Sequence, residues 1–359
     1  MNTTTPLNRR RFLGTLLGMS VAIPLSGCPA KRETDTASPT VRVAFFPNIT
    51  HAQALVARGM ARAGNGWFES RLGAGVTIQW FTYNAGPSAM EAILTKSIDL
   101  TYVGVSPTLN AHLRTGGKEV RVVAGACSGG AALVVQGDGP IRSDSDFRGK
   151  KVATPQLGNT QDVAARAWLI STGLRVTMTG GDALVIPTAN PDQLTLFEKK
   201  ELDAVWTVEP WVTRLVREGK GRVYLEEGSL WKETAGRYTT THLVSTAELL
   251  DRQPGLLKKF LAAHLELTEW ITSHPAEAQE IFNREFKEET RKGMSPEVLK
   301  EAWKRLEFTV DPIKPSLVRS AEAARKVGFY RQAPDLSRIY QLGILNDVLA
   351  EKGKPRIEP

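Results

Sequence analysis

The 359-residue chain holds only two cysteines and five histidines, and neither type clusters. No CxxC pair and no His/Cys group with ligand spacing occurs, so neither a disulfide framework nor a zinc or other metal site organises the sequence. Apolar runs of membrane-spanning length are also missing, since a bilayer needs about 20 apolar residues. No block of Lys and Arg with interleaved aromatics appears, which excludes an obvious nucleic-acid surface. The common catalytic signatures are absent as well: no G-x-S-x-G elbow, no H-E-x-x-H, no P-loop and no G-x-G-x-x-G after a strand. These absences argue against an enzyme of the common kinds, and no cofactor or metal is expected.

The formal charge is +8, of which three charges are Arg9, Arg10 and Arg11. The remaining excess is compatible with an anionic ligand without demonstrating one. Arg9-Arg10-Arg11-Phe12-Leu13 fits the twin-arginine export pattern R-R-x-F-L, with Asn8 standing where Ser or Thr is usual. A mildly apolar stretch from Phe12 to Ile23 follows, broken by Gly14 and Gly18. Leu25-Ser26-Gly27-Cys28 then has the form of a lipoprotein box. Each part has a physical purpose: charge holds the start inside, the apolar run enters the translocation machinery, and small residues fit the peptidase. Cysteine is needed because its thiol takes the lipid. Residues 1–27 are therefore expected to be an export signal, with Cys28 lipidated and the protein anchored at an extracytoplasmic membrane face. Residues 28–40, rich in Lys, Glu, Asp, Ser, Thr and Pro, read as a tether. Cys127 is left without a disulfide partner and reads as a small core residue.

From Val41 onward, strand-like runs alternate with helical periodicity. The strands are expected at Val41–Phe46, Val76–Tyr83, Leu100–Gly104, Val120–Ala126, Ala131–Gln136, Lys151–Thr154, Ala183–Thr188, Ala204–Val208 and His242–Ser245. Helical segments fill the gaps between most of them, and the chain is almost all helical beyond Ala247. This alternation predicts an α/β fold with parallel sheets flanked by helices. Two similar blocks, a return crossing and a helical tail predict two lobes. Lobe 1 is expected over 41–133 and 241–359 and lobe 2 over 134–240, with a hinge near Gly130–Val135 and near Thr240–Ser245.

Ligands of open α/β sheets sit beyond the carboxyl ends of strands, and clefts between lobes are favoured sites. The loops at those places carry unusual residues: Pro47-Asn48-Ile49-Thr50-His51, Asn84-Ala85-Gly86-Pro87-Ser88, Val105-Ser106-Pro107-Thr108, Cys127-Ser128-Gly129-Gly130, Gln156 to Gln161 and Glu209-Pro210-Trp211. Small hydroxyl and amide residues there leave backbone N–H groups accessible, and helix N-termini favour negative charge. Any one such loop is more often a plain cap or turn. Several at corresponding positions point to a shared anion site, with candidate ligands Asn48, Thr50, His51, Ser88, Ser106, Ser128, Gly130, Thr160, Glu209 and Trp211. Trp211 is expected at a helix start with its ring toward the cleft. Glu209 either caps that helix or pairs with an amine on the ligand.

The same segments resemble the solute-binding proteins of the nitrate/sulfonate/taurine transport family. The likeness runs from about Val41 to Lys352 and is carried by Phe46 to Ala52, Asn84 to Glu91, Tyr102-Val103-Gly104, Ser128 to Ala131, Ala153 to Thr160 and Glu209-Pro210-Trp211. It implies a type II periplasmic-binding-protein fold, an ABC permease with its ATPase as partner, and a monomer that delivers a small anion. The subgroup most resembled is the aliphatic-sulfonate type. The same role for nitrate, bicarbonate, taurine, a phosphonate or a thiamine precursor is the alternative. A tethered ligand sensor, or an enzyme of the thiamine-pyrimidine type, is the alternative of another class. A sulfonate suits the loops because it is always ionised and offers three oxygens, and because no arginine lies in them to clamp a phosphonate.

The export reading makes a direct prediction. Arg9→Lys combined with Arg10→Lys strands the precursor in the cytoplasm, whereas Cys28→Ser is exported but neither lipidated nor cleaved by the lipoprotein peptidase. Normal membrane fractionation and unchanged metabolic lipid labelling of the Cys28→Ser protein would rule out the anchor.

Overall fold

The computed structural model describes residues 39–358; Arg9, Arg10, Cys28 and nearly all of the tether lie outside the described residues. In chain order the strands and helices are β1 Thr40–Phe45, α1 Ala52–Arg62, α2 Trp67–Leu72, β2 Thr77–Thr82, α3 Gly86–Leu94, β3 Leu100–Val103, α4 Val105–Arg114 and β4 Val120–Gly129. A second group follows as β5 Ala131–Gln136, β6 Lys151–Thr154, α5 Thr160–Ser171, β7 Leu184–Pro187, α6 Asn190–Glu198, β8 Ala204–Val208, α7 Trp211–Arg217 and β9 Gly221–Glu226. The chain then returns through β10 Thr239–Thr246, α8 Ala247–Arg252, α9 Pro254–Ser273, α10 Pro275–Thr290, α11 Pro296–Trp303, β11 Leu306–Phe308, α12 Lys314–Val327 and α13 Gly343–Glu351. None of the described helices is long and apolar enough to cross a membrane.

Local chemistry accounts for many boundaries. Strands draw on β-branched and aromatic residues, as in Thr-Val-Arg-Val-Ala-Phe of β1. Proline occupies one of the first two positions of α3, α6, α9, α10, α11 and α12, where its missing N–H costs nothing and its fixed φ suits a helix start.

The strands form two sheets rather than the all-parallel ones expected. The first has the order β11-β4-β10-β3-β1-β2 and the second β7-β6-β8-β5-β9. β1 runs parallel to β2 and β3, but β10 is antiparallel to both β3 and β4 because it enters from the second sheet. β5 is likewise antiparallel to β8 and β9. Apolar residues pack both faces of each sheet. Phe68, Phe260 and Phe282 lie in the core that fills one face of the first sheet, and Ile93, Leu109 and Leu317 fill the other. Trp168 and Trp206 pack on one face of the second sheet and Phe197 and Leu215 on the opposite one. Trp206 is thus a core residue, as the sequence implied, and Cys127 is buried within β4.

The chain changes sheets at Gly129-Gly130, at the start of the Gly130–Val135 stretch, which is mostly β5, and comes back between Glu226 and Thr239, just ahead of Thr240–Ser245 in β10. The first crossing depends on glycine. Gly129 and Gly130 have φ of +82° and +78°, and a Cβ on Gly130 would lie 2.3 Å from Leu306 Cδ2. The return crossing is held by a buried carboxyl. Glu227 Oε2 accepts the Trp206 indole N–H at 2.8 Å, and the group also takes the Trp231 indole N–H.

Burial pushes the Glu227 carboxyl up to about 7, against the two indoles and the more distant Arg319. A carboxyl raised in the fold holds its proton where the unfolded chain has lost it. Its contribution is therefore full below about pH 4.5 and lost as pH climbs toward 7. Glu227→Gln mimics the protonated form and should remove that loss. At pH 5 the variant and wild type should unfold at similar urea concentrations, and at pH 8 the variant should gain up to roughly 3 kcal/mol. An identical difference at both pH values would contradict this.

Candidate functional site

The strand-to-helix loops of the two sheets face one another. Phe46 to His51 follow β1, Asn84 to Gly86 follow β2, Gly104 to Pro107 follow β3, Pro155 to Gln161 follow β6 and Asn190 follows β7. Members of all five, with Val208 and with Thr240 and Thr241 of β10, line one cavity of about 30 Å³. That is room for about one water molecule.

The lining is polar but carries no charged side chain. Asn48 Oδ1 accepts the Trp211 indole N–H at 2.9 Å and the Asn190 amide at 3.3 Å, and the Asn48 Nδ2 donor has no partner among the described residues. Asn190 is fixed in turn by Thr207 Oγ1 at 3.1 Å. His51 Nδ1 accepts the Phe46 backbone N–H at 3.3 Å, so the ring proton belongs on Nε2. Burial lowers the imidazole to about 3, and the ring is neutral at any ordinary pH. Thr50, Gln161 and Thr241 add hydroxyl and amide groups.

Three helices begin here. α5 starts with Asn159 as its cap, its Oδ1 accepting from Asp162 N at 2.8 Å, and the first-turn N–H groups of Thr160 and Gln161 have no partner within the helix. Ser106 N, at the start of α4, donates to Thr160 Oγ1 at 3.3 Å. The approach is so close that a Cβ on Gly104 would lie 2.3 Å from Thr160 Oγ1, which only glycine permits. α3 opens at Gly86 beside them. Partial positive charge from three N-termini thus meets in one polar space. Behind α5, the buried Asp162 carboxylate accepts Thr154 Oγ1 and Gly158 N, both at 2.9 Å, and pairs with Arg166 at 3.1 Å. This fixes the Pro155–Gly158 loop without placing a charge in the cavity.

Of the residues anticipated from sequence, Asn48, Thr50, His51 and Thr160 come together in the cavity. The others lie elsewhere. Ser88 reaches across the seam between the sheets, accepting from Gln156 Nε2 at 3.1 Å. Ser106 is buried and lines a neighbouring groove rather than the cavity. Ser128 belongs to β4, where its hydroxyl accepts from Tyr238 N at 3.2 Å. Gly130 shapes the crossing, its carbonyl accepting from Glu209 N at 2.8 Å.

Trp211 corrects the expected picture, and Glu209 takes the capping alternative. Glu209 is fully buried, accepts from Thr213 N at 3.1 Å and Thr213 Oγ1 at 2.8 Å, and pairs with Arg305 at 2.8 Å. It caps α7 and has a cation of its own, so an amine on a ligand has no claim on it. Burial outweighs Arg305 and raises this carboxyl to about 7. The Trp211 ring packs 6.0 Å from Phe286 in the core, and only its N–H communicates with the site, through Asn48. Sequence reading also missed Asn190, Thr240 and Thr241. The pair Asn190-Pro191 after a strand was the available signal for the first.

A larger groove of about 940 Å³ lies along α9, the segment after β11 and the C-terminal residues. Charges on its rim already satisfy one another, as in Arg237 with Glu307 at 2.9 Å and Lys354 with Glu269. Size alone does not make it the site; the convergence of oriented donors does.

The chain is similar to proteins of known kind. A taurine-binding periplasmic protein of Escherichia coli strain K12 is 22% identical over 204 residues, which spans 56% of this chain and 59% of that relative. The alkanesulfonate-binding protein SsuA of Xanthomonas axonopodis pv. citri, bound to MOPS, superposes with a TM-score of 0.68 at 17% identity, covering 85% of this chain and 98% of that one. The nitrate-binding protein NrtA of Synechocystis PCC 6803 gives 0.65 at 15% identity, covering 87% and 88%. These likenesses establish the type II periplasmic-binding-protein fold, with its helical C-terminal region. The profile of the NMT1-like family matches residues 34–284, and the chain belongs to that family.

Proposed function

We propose that this protein is the extracytoplasmic solute-binding component of an ABC importer and takes a small organic anion, an aliphatic sulfonate, between its two sheets. The observation that carries the reading is the cavity itself: neutral donors and three helix N-termini converge there with no charged side chain. Such a site suits a permanently ionised head with several oxygens, because fixed dipoles supply the field and no counter-ion has to be desolvated. The family membership and the sulfonate, taurine and nitrate binders among its relatives support the same class of solute.

In this reading the first sheet with its helices is one lobe and the second sheet the other, joined at Gly129-Gly130 and between Glu226 and Thr239. A space of about 30 Å³ does not admit a sulfonate, so the lobes must part for the solute to enter and close around it. The bonds from Asn190 to Asn48 and between Gln156 and Ser88 are those that opening breaks. Lipid on Cys28 holds the monomer at the membrane beside its permease and ATPase. No catalysis is assigned.

Calorimetric titration of residues 28–359 against ethanesulfonate, taurine, nitrate, bicarbonate and a phosphonate tests the proposal. Ethanesulfonate should bind best, and the radius by small-angle scattering should shrink on binding. Thr50→Val and Thr160→Val each remove a hydroxyl donor to a charged head and should weaken binding roughly tenfold to a hundredfold. Unchanged melting temperature and radius with every anion would sink the proposal.

A further inference from the structure

Beside the polar cavity, α5 and α12 leave a groove of about 460 Å³ between them. Thr160 lines both spaces, so the groove adjoins the place proposed for the anionic head. Its walls are mostly apolar: Val163, Ala164 and Ala167 from α5, Ala323 from α12, and the rings of Trp168 and Trp231. The Trp231 ring is held in place by stacking on Tyr238, with centroids 5.5 Å apart and planes 7° from parallel. The charged groups at the groove are engaged. Arg319 lies 4.5 Å from the Trp231 ring centroid and pairs with Glu233 at 2.8 Å, and Glu227 takes two indole N–H groups. Glu322 and Lys326 are exposed side chains at its edge. One polar group is unaccounted for. Ser106 is only 2% exposed and lines the groove, and its buried hydroxyl has no hydrogen-bond partner among the described residues. A buried hydroxyl is rarely left so unless something outside the protein satisfies it.

We infer that this groove is the subsite for the organic substituent of the solute, with the Ser106 hydroxyl donating to the head where cavity and groove meet. The inference rests on the function proposed above and narrows its substrate class. The volume falls in the range of small-molecule sites, whereas the polar cavity alone has no room for a carbon chain. Small residues at Ala164 and Ala167 on one helix and Ser320 and Ala323 on the other are what keep the groove open. The protein should therefore prefer sulfonates with an extended apolar chain over methanesulfonate and over inorganic anions.

The test compares methanesulfonate with 1-hexanesulfonate by calorimetry, in wild type and in Ala167→Leu and Ala323→Leu, each first checked for an intact melting transition. In wild type, affinity should rise about three- to fourfold per methylene until the groove is full. In either filled variant the ratio of the two affinities should collapse toward one, and Ser106→Ala should weaken both ligands. Equal wild-type affinities, or a ratio that survives both filling substitutions, would overturn the subsite while leaving the head site standing. Failure of both sulfonates to bind would instead remove the head site, and the subsite with it.

Discussion

Asn48 Oδ1 accepts two hydrogen bonds, one from the Trp211 indole and one, across the seam, from the Asn190 amide. Much of the site follows from that single acceptor. Trp211 is immovable because its ring packs in the core of the first sheet, and Asn190 is held by Thr207 of β8. The Asn48 amide is therefore locked between them, with its N–H groups left for the cavity. Across the seam the two sheets are bridged by oriented bonds, Asn190 to Asn48 and Gln156 to Ser88.

The electrostatics show why burial matters as much as residue type. His51, His242 and His264 are all pushed down by burial, to between about 3 and 4, and so contribute no positive charge. Each is used instead for hydrogen bonding, as in His242 Nε2 with Thr108 Oγ1 at 2.8 Å. The charged residues near the seam are already spent on one another: Asp162 on Arg166, Glu209 on Arg305, Arg319 on Glu233. What remains to meet a solute is a set of dipoles fixed by helices. Dipoles that are already oriented need no reorganisation when a charge arrives, and they leave no buried unpaired ion when it departs.

Much of this was legible in the sequence because loops after strands must be built from small polar residues and the first turns of helices need caps. Asn48, Thr50, His51 and Thr160 were visible for that reason. Thr240 and Thr241 were not, since threonine is as good in a strand as at a site and nothing local marks which. The choice between capping and amine pairing at Glu209, and the orientation of the Trp211 ring, were hidden for another reason: their partners, Arg305 and Asn48, lie far away in the chain, and only the packing of both sheets reveals them. The three-residue strand β11 and the edge strand β9 escaped notice because their stability comes from pairing with β4 and β5. Strand direction was hidden too, because an antiparallel return through β10 looks in sequence like any other alternating segment.

The central claim is that an anion is held here by neutral donors. A crystal structure of residues 28–359 with ethanesulfonate tests it most directly. The account predicts sulfonate oxygens within hydrogen-bond distance of Asn48 Nδ2, the Thr50 hydroxyl and the first N–H groups of α5, with no Lys or Arg nitrogen in contact. A sulfonate held by a guanidinium or ammonium, or bound outside the seam between the sheets, would contradict it.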